Sequence, residues 1–252
     1  MPPESDCRPG ATTWKSRRPA ITDSQLIPSI EMRLSSLLEV TRRRELEKTS
    51  HGKTTKPTIT ISREFGCEAF PMAERLQELL EQKTGEKWVV MDKQLLEEVA
   101  RNHNLSEELL KGLGEKLRFL EEMMATFTPR WKTEKDYYRL LCRHIVSLAD
   151  KGNVIIVGRG SAFITQSMRN CHHFRMFASP EFKARSIARR LCISLEEAGD
   201  LVAKRQQQRD KFIRDFLDRD ARDLSVYHLV FNNDKNTHDR IARTIVEYVL
   251  SA

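Results

Sequence analysis

Residues 58–73, TITISREFGCEAFPMA, decide the fold of this chain. TITIS (58–62) is rich in β-branched residues and predicts a strand. Residues 71–80 predict a helix, because apolar side chains recur on one helical face. A strand, a short loop and a helix in this order form a layout in which backbone N–H groups and the helix N-terminus bind phosphate. The motif GxxxxGK[ST] is absent, so the layout alone carries the prediction of an anion-binding loop.

Strands and helices alternate after this stretch. Further strands are predicted at 88–91 (WVVM), 153–158 (NVIIVG), 173–178 (HFRMFA) and 227–232 (YHLVFN), and helices at 93–125, 134–150, 180–191, 194–216 and 237–250. This alternation predicts parallel βαβ units and an α/β fold with a doubly wound five-stranded parallel sheet. Ligands of such sheets bind at the carboxyl ends of the strands, which points to the loops after residues 62, 91, 158, 178 and 232.

Residues 1–57 differ from the remainder of the chain. Residues 1–20 predict a disordered tail, and residues 21–57 predict a helix over about 24–48 followed by the linker HGKTTKP. This helix could bind a protein partner or mediate self-association. Its basic end could contact RNA or a membrane, or it could face solvent. The net charge is +7, of which 1–57 carry 11 Lys/Arg against 7 Asp/Glu. The remainder is therefore nearly balanced, which favours a phosphate-handling enzyme over a nucleic-acid binder.

The bulk composition excludes several classes of protein. The sequence has no run of eighteen apolar residues and no apolar signal-peptide core at its N-terminus, so we expect no membrane span and a cytoplasmic location. The five cysteines form no CxxC pair, so we expect neither a disulfide framework nor a zinc ribbon. The neighbouring His172 and His173 adjoin Cys171, but adjacent strand residues point to opposite faces, and we predict no metal site.

Two basic segments are candidates for phosphate binding. One directly follows a predicted strand, and the other precedes the last predicted strand. Gly158, Arg159 and Gly160 lie at the end of an apolar strand, where glycines let the backbone approach a ligand and arginine forks onto phosphate oxygens. In the segment 204–214, Arg205, Arg209 and Arg214 lie near one side of a helix. That segment is typical of a lid over a phosphate site, and equally of a solvated basic helix.

Five segments resemble the cytidylate kinase-like family: ITISREFG (59–66), VVMDKQLL (89–96), NVIIVGRGSAF (153–163), FASPEFKARSIARRL (177–191) and SVYHLVFNN (225–233). The resemblance covers about 58–250. It implies that 58–252 form a P-loop nucleotide-kinase type domain. It also implies transfer of the γ-phosphoryl group of ATP, with Mg²⁺, to CMP or a related nucleotide.

The resemblance also implies roles for individual residues. The ATP-phosphate loop would comprise Ser62, Arg63, Glu64, Phe65, Gly66, Cys67, Glu68, Ala69 and Phe70. Acceptor-binding residues would be Asp92, Lys93, Gly158, Arg159 and Gly160, although Asp92 could equally be the N-cap of the helix at Lys93. Arg205 and Arg209 would be catalytic lid arginines. Residues 93–135 would form a helical acceptor-binding insertion, and 194–220 the lid region.

The phosphate loop departs from the family's typical S-R-E-Y-G-S-G-G-R. Phe70 replaces a basic residue, Pro71 lacks an N–H, and Glu68 places a carboxylate at the helix N-terminus, where it would repel phosphate. Three hypotheses follow. ATP still binds, with Arg63 replacing the missing cation; or phosphotransfer is lost and the chain is a nucleotide sensor or protein-binding module; or Glu68 and Phe70 only cap and pack the helix.

Four further side chains have two interpretations each. Cys67 lies near a helix N-terminus, which predicts a lowered thiol pKa and a redox role, or it is a serine-like replacement. Tyr137, Tyr138 and Trp131 could stack a nucleotide base or pack in the core.

Overall fold

The structure is a computed structural model that describes residues 56–101 and 132–251. Strands and helices alternate along these residues. The strands are β1 (Thr58–Arg63), β2 (Val89–Met91), β3 (Val154–Val157), β4 (Cys171–Phe177) and β5 (Leu229–Asn232). The helices are α1 (Ala69–Thr84), α2 (Lys93–Arg101), α3 (Lys132–Lys151), α4 (Ser161–Ile164), α5 (Pro180–Leu191), α6 (Leu195–Leu217) and α7 (His238–Leu250).

All five strands are parallel and form one sheet in the order β2-β3-β1-β4-β5. β1 therefore lies at the centre, with Thr58 opposite Val154 of β3 on one side and Cys171 of β4 on the other. The loop after β1 emerges between these two neighbours, where ligands of open α/β sheets bind. The predicted doubly wound, five-stranded parallel sheet is confirmed.

Side-chain alternation along β2 and β3 explains why helices cover both faces. Val89, Met91 and Val154 belong to the hydrophobic cluster that includes α2 and α3. Val90 and Ile155 belong to the opposite cluster, which includes α1 and α7. Because successive strand residues point to opposite faces, an unbroken apolar strand supplies both clusters at once. Each fully buried aliphatic side chain contributes about 1.5–3 kcal/mol relative to exposure.

Several predicted boundaries were wrong by a few residues. α1 begins at Ala69 rather than Pro71, so the last two residues of the predicted phosphate loop are helical. Pro71 is tolerated there because first-turn N–H groups have no intrahelical acceptor. The helix ends at Gly85, whose φ of 69° is the left-handed C-cap conformation. β4 begins two residues earlier than predicted, at Cys171, and β5 two later, at Leu229, while the short α4 was not predicted.

Some predictions fall on parts of the chain that the structure does not describe. They concern the tail 1–20, the helix predicted at 24–48, and the part of the acceptor-binding insertion between α2 and α3, and they stay predictions. Among the described residues, none of the helices combines the length and apolar character needed to cross a bilayer.

Candidate phosphate-binding site

A cleft of about 210 Å³ lies at the carboxyl ends of β1, β3 and β4 and below α6. We call it the arginine cleft because six cationic side chains line it: Arg63, Lys93, Arg159, Arg175, Arg205 and Arg209. Of the described residues that line it, Asp210 is the one carboxylate. Such an excess of positive charge in one cleft is typical of a site for a phosphate-bearing ligand.

The backbone of residues 158–160 is shaped to let other side chains approach it. Gly158, Arg159 and Gly160 have φ values of 83°, 56° and 71°, all in the left-handed region. A Cβ atom on Gly158 would lie 2.2 Å from Nη1 of Arg63, and one on Gly160 would lie 2.2 Å from Cδ1 of Leu217. Both positions favour glycine, because another residue would be strained at these φ values and its Cβ would displace the neighbouring side chain. Arg159 has a side chain in a conformation that favours glycine, and such strain is common at functional sites.

The side chain of Arg159 is largely buried and held on two sides. Its Nη2 is hydrogen-bonded to Oε1 of Glu97 on α2. Its guanidinium lies 4.9 Å from the centre of the Phe212 ring on α6. The hydroxyl of Tyr138 donates to the carbonyl oxygen of Arg159 at 3.2 Å. The residue predicted to bind the acceptor phosphate thus lies in the cleft and is oriented by three helices.

The predicted lid arginines also lie in the cleft. Helix α6 begins with a capping box, in which Ser194 and Glu197 bond each other's backbone N–H groups. Arg209, further along α6, places its guanidinium 5.1 Å from the centre of the Phe65 ring. Its Nη1 donates to the carbonyl oxygen of Arg63 at 3.5 Å. α6 is therefore docked directly on the phosphate loop.

Arg175 belongs to the cleft but was not predicted. It lies on β4 opposite Ser62 of β1, so the sheet itself places it beside the phosphate loop. The side chain is only 10% exposed, with Nη2 4.0 Å from Oε1 of Glu64 and the guanidinium 5.7 Å from the centre of the Tyr227 ring. A single arginine near the carboxyl end of an apolar strand was the signal that could have identified it.

A second, smaller cavity of about 70 Å³ lies directly over the phosphate loop, and we call it the loop cavity. Its lining includes Gly66, Cys67, Ala69 and Phe70 from the loop and the start of α1. From other elements come Asp92, Lys93, Gln94, Val157, Ile187, Arg190 and Arg209. Arg63, Phe65, Lys93 and Arg209 line both cavities, so the two are adjacent.

Several N–H groups of the loop already have protein acceptors. The N–H of Phe65 donates to Oε1 of Gln206 at 2.8 Å, and that of Glu68 donates to Oδ1 of Asn233 at 2.9 Å. The N–H of Glu64 donates to the carbonyl oxygen of Met176 on β4 at 3.1 Å. A phosphate that used the first two donors would have to displace amide side chains from α6 and from the loop after β5.

The prediction that Glu68 repels phosphate assumed that its side chain points toward the phosphate site, and this was wrong. Oε1 of Glu68 lies 2.7 Å from Nη2 of Arg189, and Oε2 lies 3.8 Å from Nδ1 of His238. Glu68 does not belong to the lining of either cavity. The capping hypothesis was also wrong for this residue, because its side chain makes no capping hydrogen bond to α1. The carboxylate instead joins α1 to α5 and α7.

Phe70 and Cys67 have apolar surroundings. Phe70 is 9% exposed and packs in the α1–α7 cluster, as one hypothesis predicted. Burial raises the pKa of the Cys67 thiol to about 12, with a smaller contribution from the neighbouring Glu64. The predicted lowering of this pKa was wrong, since desolvation outweighs the helix N-terminus. At neutral pH the thiol is protonated and unsuited to a redox role.

Comparison with known proteins shows the family of the chain. A model of the cytidylate kinase-like family matches residues 58–235. The chain belongs to this family. No curated protein matches the chain significantly.

Two solved structures that are similar to this cytidylate kinase-like chain share little sequence with it. An uncharacterized protein from Eubacterium ventriosum is 20% identical, with a TM-score of 0.61 over 78% of this chain and 99% of that one. Shikimate kinase from Bacteroides thetaiotaomicron is 14% identical, with a TM-score of 0.40 over 78% and 99% of the two chains. The first of these likenesses supports the fold alone.

The predicted acceptor residues of this cytidylate kinase-like chain can now be placed. Asp92 is 1% exposed, and its Oδ1 accepts from the N–H of Leu95 at 3.0 Å, so its N-cap role is confirmed. Its carboxylate also lines the loop cavity, so a ligand role stays a prediction.

The base-stacking interpretation was wrong for Tyr138. That side chain is 2% exposed and packs on Phe212 and Phe216, with ring centres 5.1 and 4.9 Å away. Tyr137 is 37% exposed, and Trp131 lies outside the described residues.

Proposed function

We propose that this cytidylate kinase-like protein transfers the γ-phosphoryl group of ATP to a nucleoside monophosphate, with CMP as the first acceptor to test. The observation that carries the proposal is the convergence of six cations on the arginine cleft beside the loop cavity. Phosphoryl transfer needs positioning and charge neutralisation more than covalent help from the protein. A cleft rich in arginine supplies both, because each guanidinium can bind two phosphate oxygens.

The proposed division of labour follows the elements that hold each residue. Arg159, on the loop after β3, would hold the acceptor phosphate, and Arg63, the last residue of β1, would face the phosphates of ATP. Arg205 and Arg209, on α6, would approach the transferring group from above. An oxygen of the acceptor phosphate attacks the γ-phosphorus, and the bond from that phosphorus to the β,γ-bridging oxygen breaks. The products are a nucleoside diphosphate and ADP.

Magnesium fits this site only as a companion of the nucleotide. Within 56–101 and 132–251, no three His, Cys, Asp or Glu side chains converge as a metal site. Mg²⁺ in kinases is typically held by one or two carboxylates together with phosphate oxygens and water. Glu64 and Asp92 are carboxylates in the lining of the loop cavity. Because Glu64 lies 2.7 Å from Nζ of Lys183, Asp92 would be the protein ligand.

A second candidate function is nucleotide binding without phosphotransfer. The amide oxygens of Gln206 and Asn233 on the loop N–H groups favour it, since they stand where phosphate oxygens would bind. The buried Phe70 favours it too, because it replaces a cation.

One experiment separates the two functions. The protein is incubated with Mg-ATP and CMP, UMP, dCMP or AMP, and diphosphate product and CMP binding are measured separately. The kinase proposal expects product with at least one acceptor and loss of that product in Arg159→Gln. Tight binding of CMP without any product would overturn the kinase proposal in favour of a nucleotide-binding regulator.

A further inference from the structure

A third cavity, of about 430 Å³, adjoins the arginine cleft, and we call it the aromatic cavity. Its lining includes the ion pair of Arg159 and Glu97 and four aromatic rings, those of Tyr137, Tyr138, Phe212 and Phe216. Arg159 and Phe212 line the arginine cleft as well, so the two spaces meet at these side chains. A ligand whose phosphate lies in the cleft can therefore extend its remaining part into the aromatic cavity.

The walls of the aromatic cavity offer ring surface to a flat ligand. Tyr138 is buried against Phe212 and Phe216, so its own ring is already covered. Tyr137, by contrast, is 37% exposed, and Phe216 is only partly buried. A nucleobase stacks on such rings whatever its identity, because every base has a π-face. The aromatic walls thus fit a base but do not select one.

Glu97 is the acidic side chain among the described residues that line this cavity. Nη2 of Arg159 donates to its Oε1, and the side chain of Glu97 is 20% exposed. Within the part of the chain that the structure describes, Oε2 makes no hydrogen bond. An ionised carboxylate accepts hydrogen bonds and donates none. At this position in the cavity it attracts an amino group and repels a carbonyl oxygen.

We propose that Glu97 selects acceptors whose base presents an amino group to it, as cytosine does with N4 and adenine with N6. The base lies against Tyr137 and Phe216, the phosphate lies in the arginine cleft, and the amino group donates to Oε2 of Glu97. Uracil and hypoxanthine carry a carbonyl oxygen in place of this amino group. The inference rests on the proposed function in taking a nucleoside monophosphate as the ligand of the arginine cleft.

The ion pair lets one acceptor be recognised at both of its ends. A guanidinium has several N–H donors, so Arg159 can keep its bond to Glu97 while it donates to a phosphate in the cleft. Both side chains are largely withdrawn from water, with 16% of Arg159 and 20% of Glu97 exposed. A base with the wrong group then leaves a partly buried charge unsatisfied, which is how polar sites reject close analogues strongly.

The test compares Glu97→Gln with Glu98→Gln. Glu98 is the neighbouring residue of α2, is also half-buried and lines none of the three cavities. Binding of CMP, UMP, AMP and IMP to each full-length protein is measured by calorimetry, together with thermal unfolding. Formation of diphosphate from Mg-ATP is measured separately.

We expect the wild type to bind CMP about 10-fold to 100-fold more tightly than UMP, and AMP more tightly than IMP. In Glu97→Gln the ratio of the CMP and UMP affinities should fall to about 3-fold or less, because an amide accepts from an amino group or donates to a carbonyl oxygen. Glu98→Gln should keep the ratio of the wild type.

This ratio separates selection of the base from a structural role of the ion pair. If Glu97 only holds Arg159 in place, both affinities fall by the same factor in Glu97→Gln and the ratio is unchanged, which would overturn the inference. Equal binding of CMP and UMP by the wild type would also overturn it, and so would a wild type that binds neither nucleotide. A ratio that falls equally in Glu98→Gln would assign the effect to the charge of α2 and overturn the selection by Glu97.

Diphosphate formation tests the proposed kinase activity independently. A wild type that prefers CMP to UMP but forms no diphosphate would support the inference and overturn the kinase activity. Diphosphate formed from both acceptors, with equal affinities, would support the kinase activity and overturn the inference. If Glu97→Gln does not fold, Glu97→Asp decides: its shorter side chain withdraws the carboxylate from the base, so a ratio equal to that of the wild type would overturn the inference.

Discussion

Oε1 of Gln206 accepts a hydrogen bond from the backbone N–H of Phe65 at 2.8 Å, so α6 is bonded directly to the phosphate loop. The amide nitrogen of the same side chain donates to Oδ1 of Asp210, also at 2.8 Å, which fixes the orientation of the amide. Phe65 is itself buried in a small cluster with Ile187 and Val202 of α5 and α6. The hydrogen bond and the apolar cluster therefore hold α6 on the phosphate loop.

Gln206→Ala should bind Mg-ATP more tightly than the wild type. The substitution leaves the N–H of Phe65 without its protein acceptor, so a phosphate oxygen can bind it without displacing Gln206. A hydrogen bond of this kind is worth about 0.5–1.5 kcal/mol net, which predicts an increase in affinity of about 3-fold to 10-fold. Calorimetric titration of Mg-ATP measures it.

Gln207→Ala is the control, because Gln207 is exposed and does not line the cleft. Weaker binding of Mg-ATP by Gln206→Ala would instead show that Gln206 itself contacts the nucleotide.

Arg175→Gln should weaken the binding of CMP but not that of cytidine. The side chain is buried in the floor of the arginine cleft, and its nearest carboxylate, that of Glu64, is 4.0 Å away and bonded more closely to Lys183. A phosphate in the cleft would be its strongest partner. We expect Arg175→Gln to bind CMP about 10-fold more weakly than the wild type does. Arg175→Lys should have an affinity between those of Arg175→Gln and the wild type. An equal loss for CMP and cytidine would assign Arg175 a structural role only.

The sequence predicted the strands and four of the five cleft arginines, but not Arg175. Apolar strands such as β3 have a strong pattern, and the rule that ligands bind at strand ends then indicates Arg159, whereas helical spacing indicates Arg205 and Arg209. The direction of Glu68 could not be predicted, because its partner Arg189 lies 121 residues away in the chain. The same holds for the bond between Gln206 and Phe65, which are 141 residues apart. Local periodicity contains no information about such pairs.

The free energy of unfolding should fall as the pH decreases from about 6.5 to about 4. Burial lowers the pKa of His173 to about 4 and that of His144 to about 4. Both histidines are therefore neutral in the fold at pH values where the unfolded chain already binds protons, so acid stabilises the unfolded state. Each contributes a slope of at most about 1.4 kcal/mol per pH unit.

Urea unfolding at several pH values measures this slope. Nδ1 of His173 lies 2.8 Å from Oγ1 of Thr60, a contact that the amide of His173→Asn can partly replace. This variant should show a shallower dependence on pH over the same range. An unchanged slope in His173→Asn would exclude this histidine as a source of the pH dependence.

Alanine substitutions of Gly160, which lies beside α6, and of Gly199, which lies within α6, should change the free energy of unfolding in opposite directions. Gly160 has a positive φ of 71°, and a Cβ there would lie 2.2 Å from Cδ1 of Leu217 and 3.3 Å from the hydroxyl oxygen of Tyr138. Gly160→Ala should therefore lower the free energy of unfolding by about 1–3 kcal/mol. Gly199 lies inside α6, and a Cβ there meets no atom within 4 Å. Gly199→Ala should raise the same free energy by about 0.5–1 kcal/mol, because alanine favours the helix.

Denaturant unfolding of both variants measures these changes in the free energy of unfolding, and nucleotide binding provides a second test. Gly160→Ala should also weaken the binding of CMP, because the adjacent Arg159 depends on the same backbone turn. Gly199→Ala should leave CMP binding unchanged, since Gly199 lines neither cavity. Equal stability of Gly160→Ala and wild type would mean that the 158–160 turn and the end of α6 can separate without cost, and that α6 is not packed on this loop in solution.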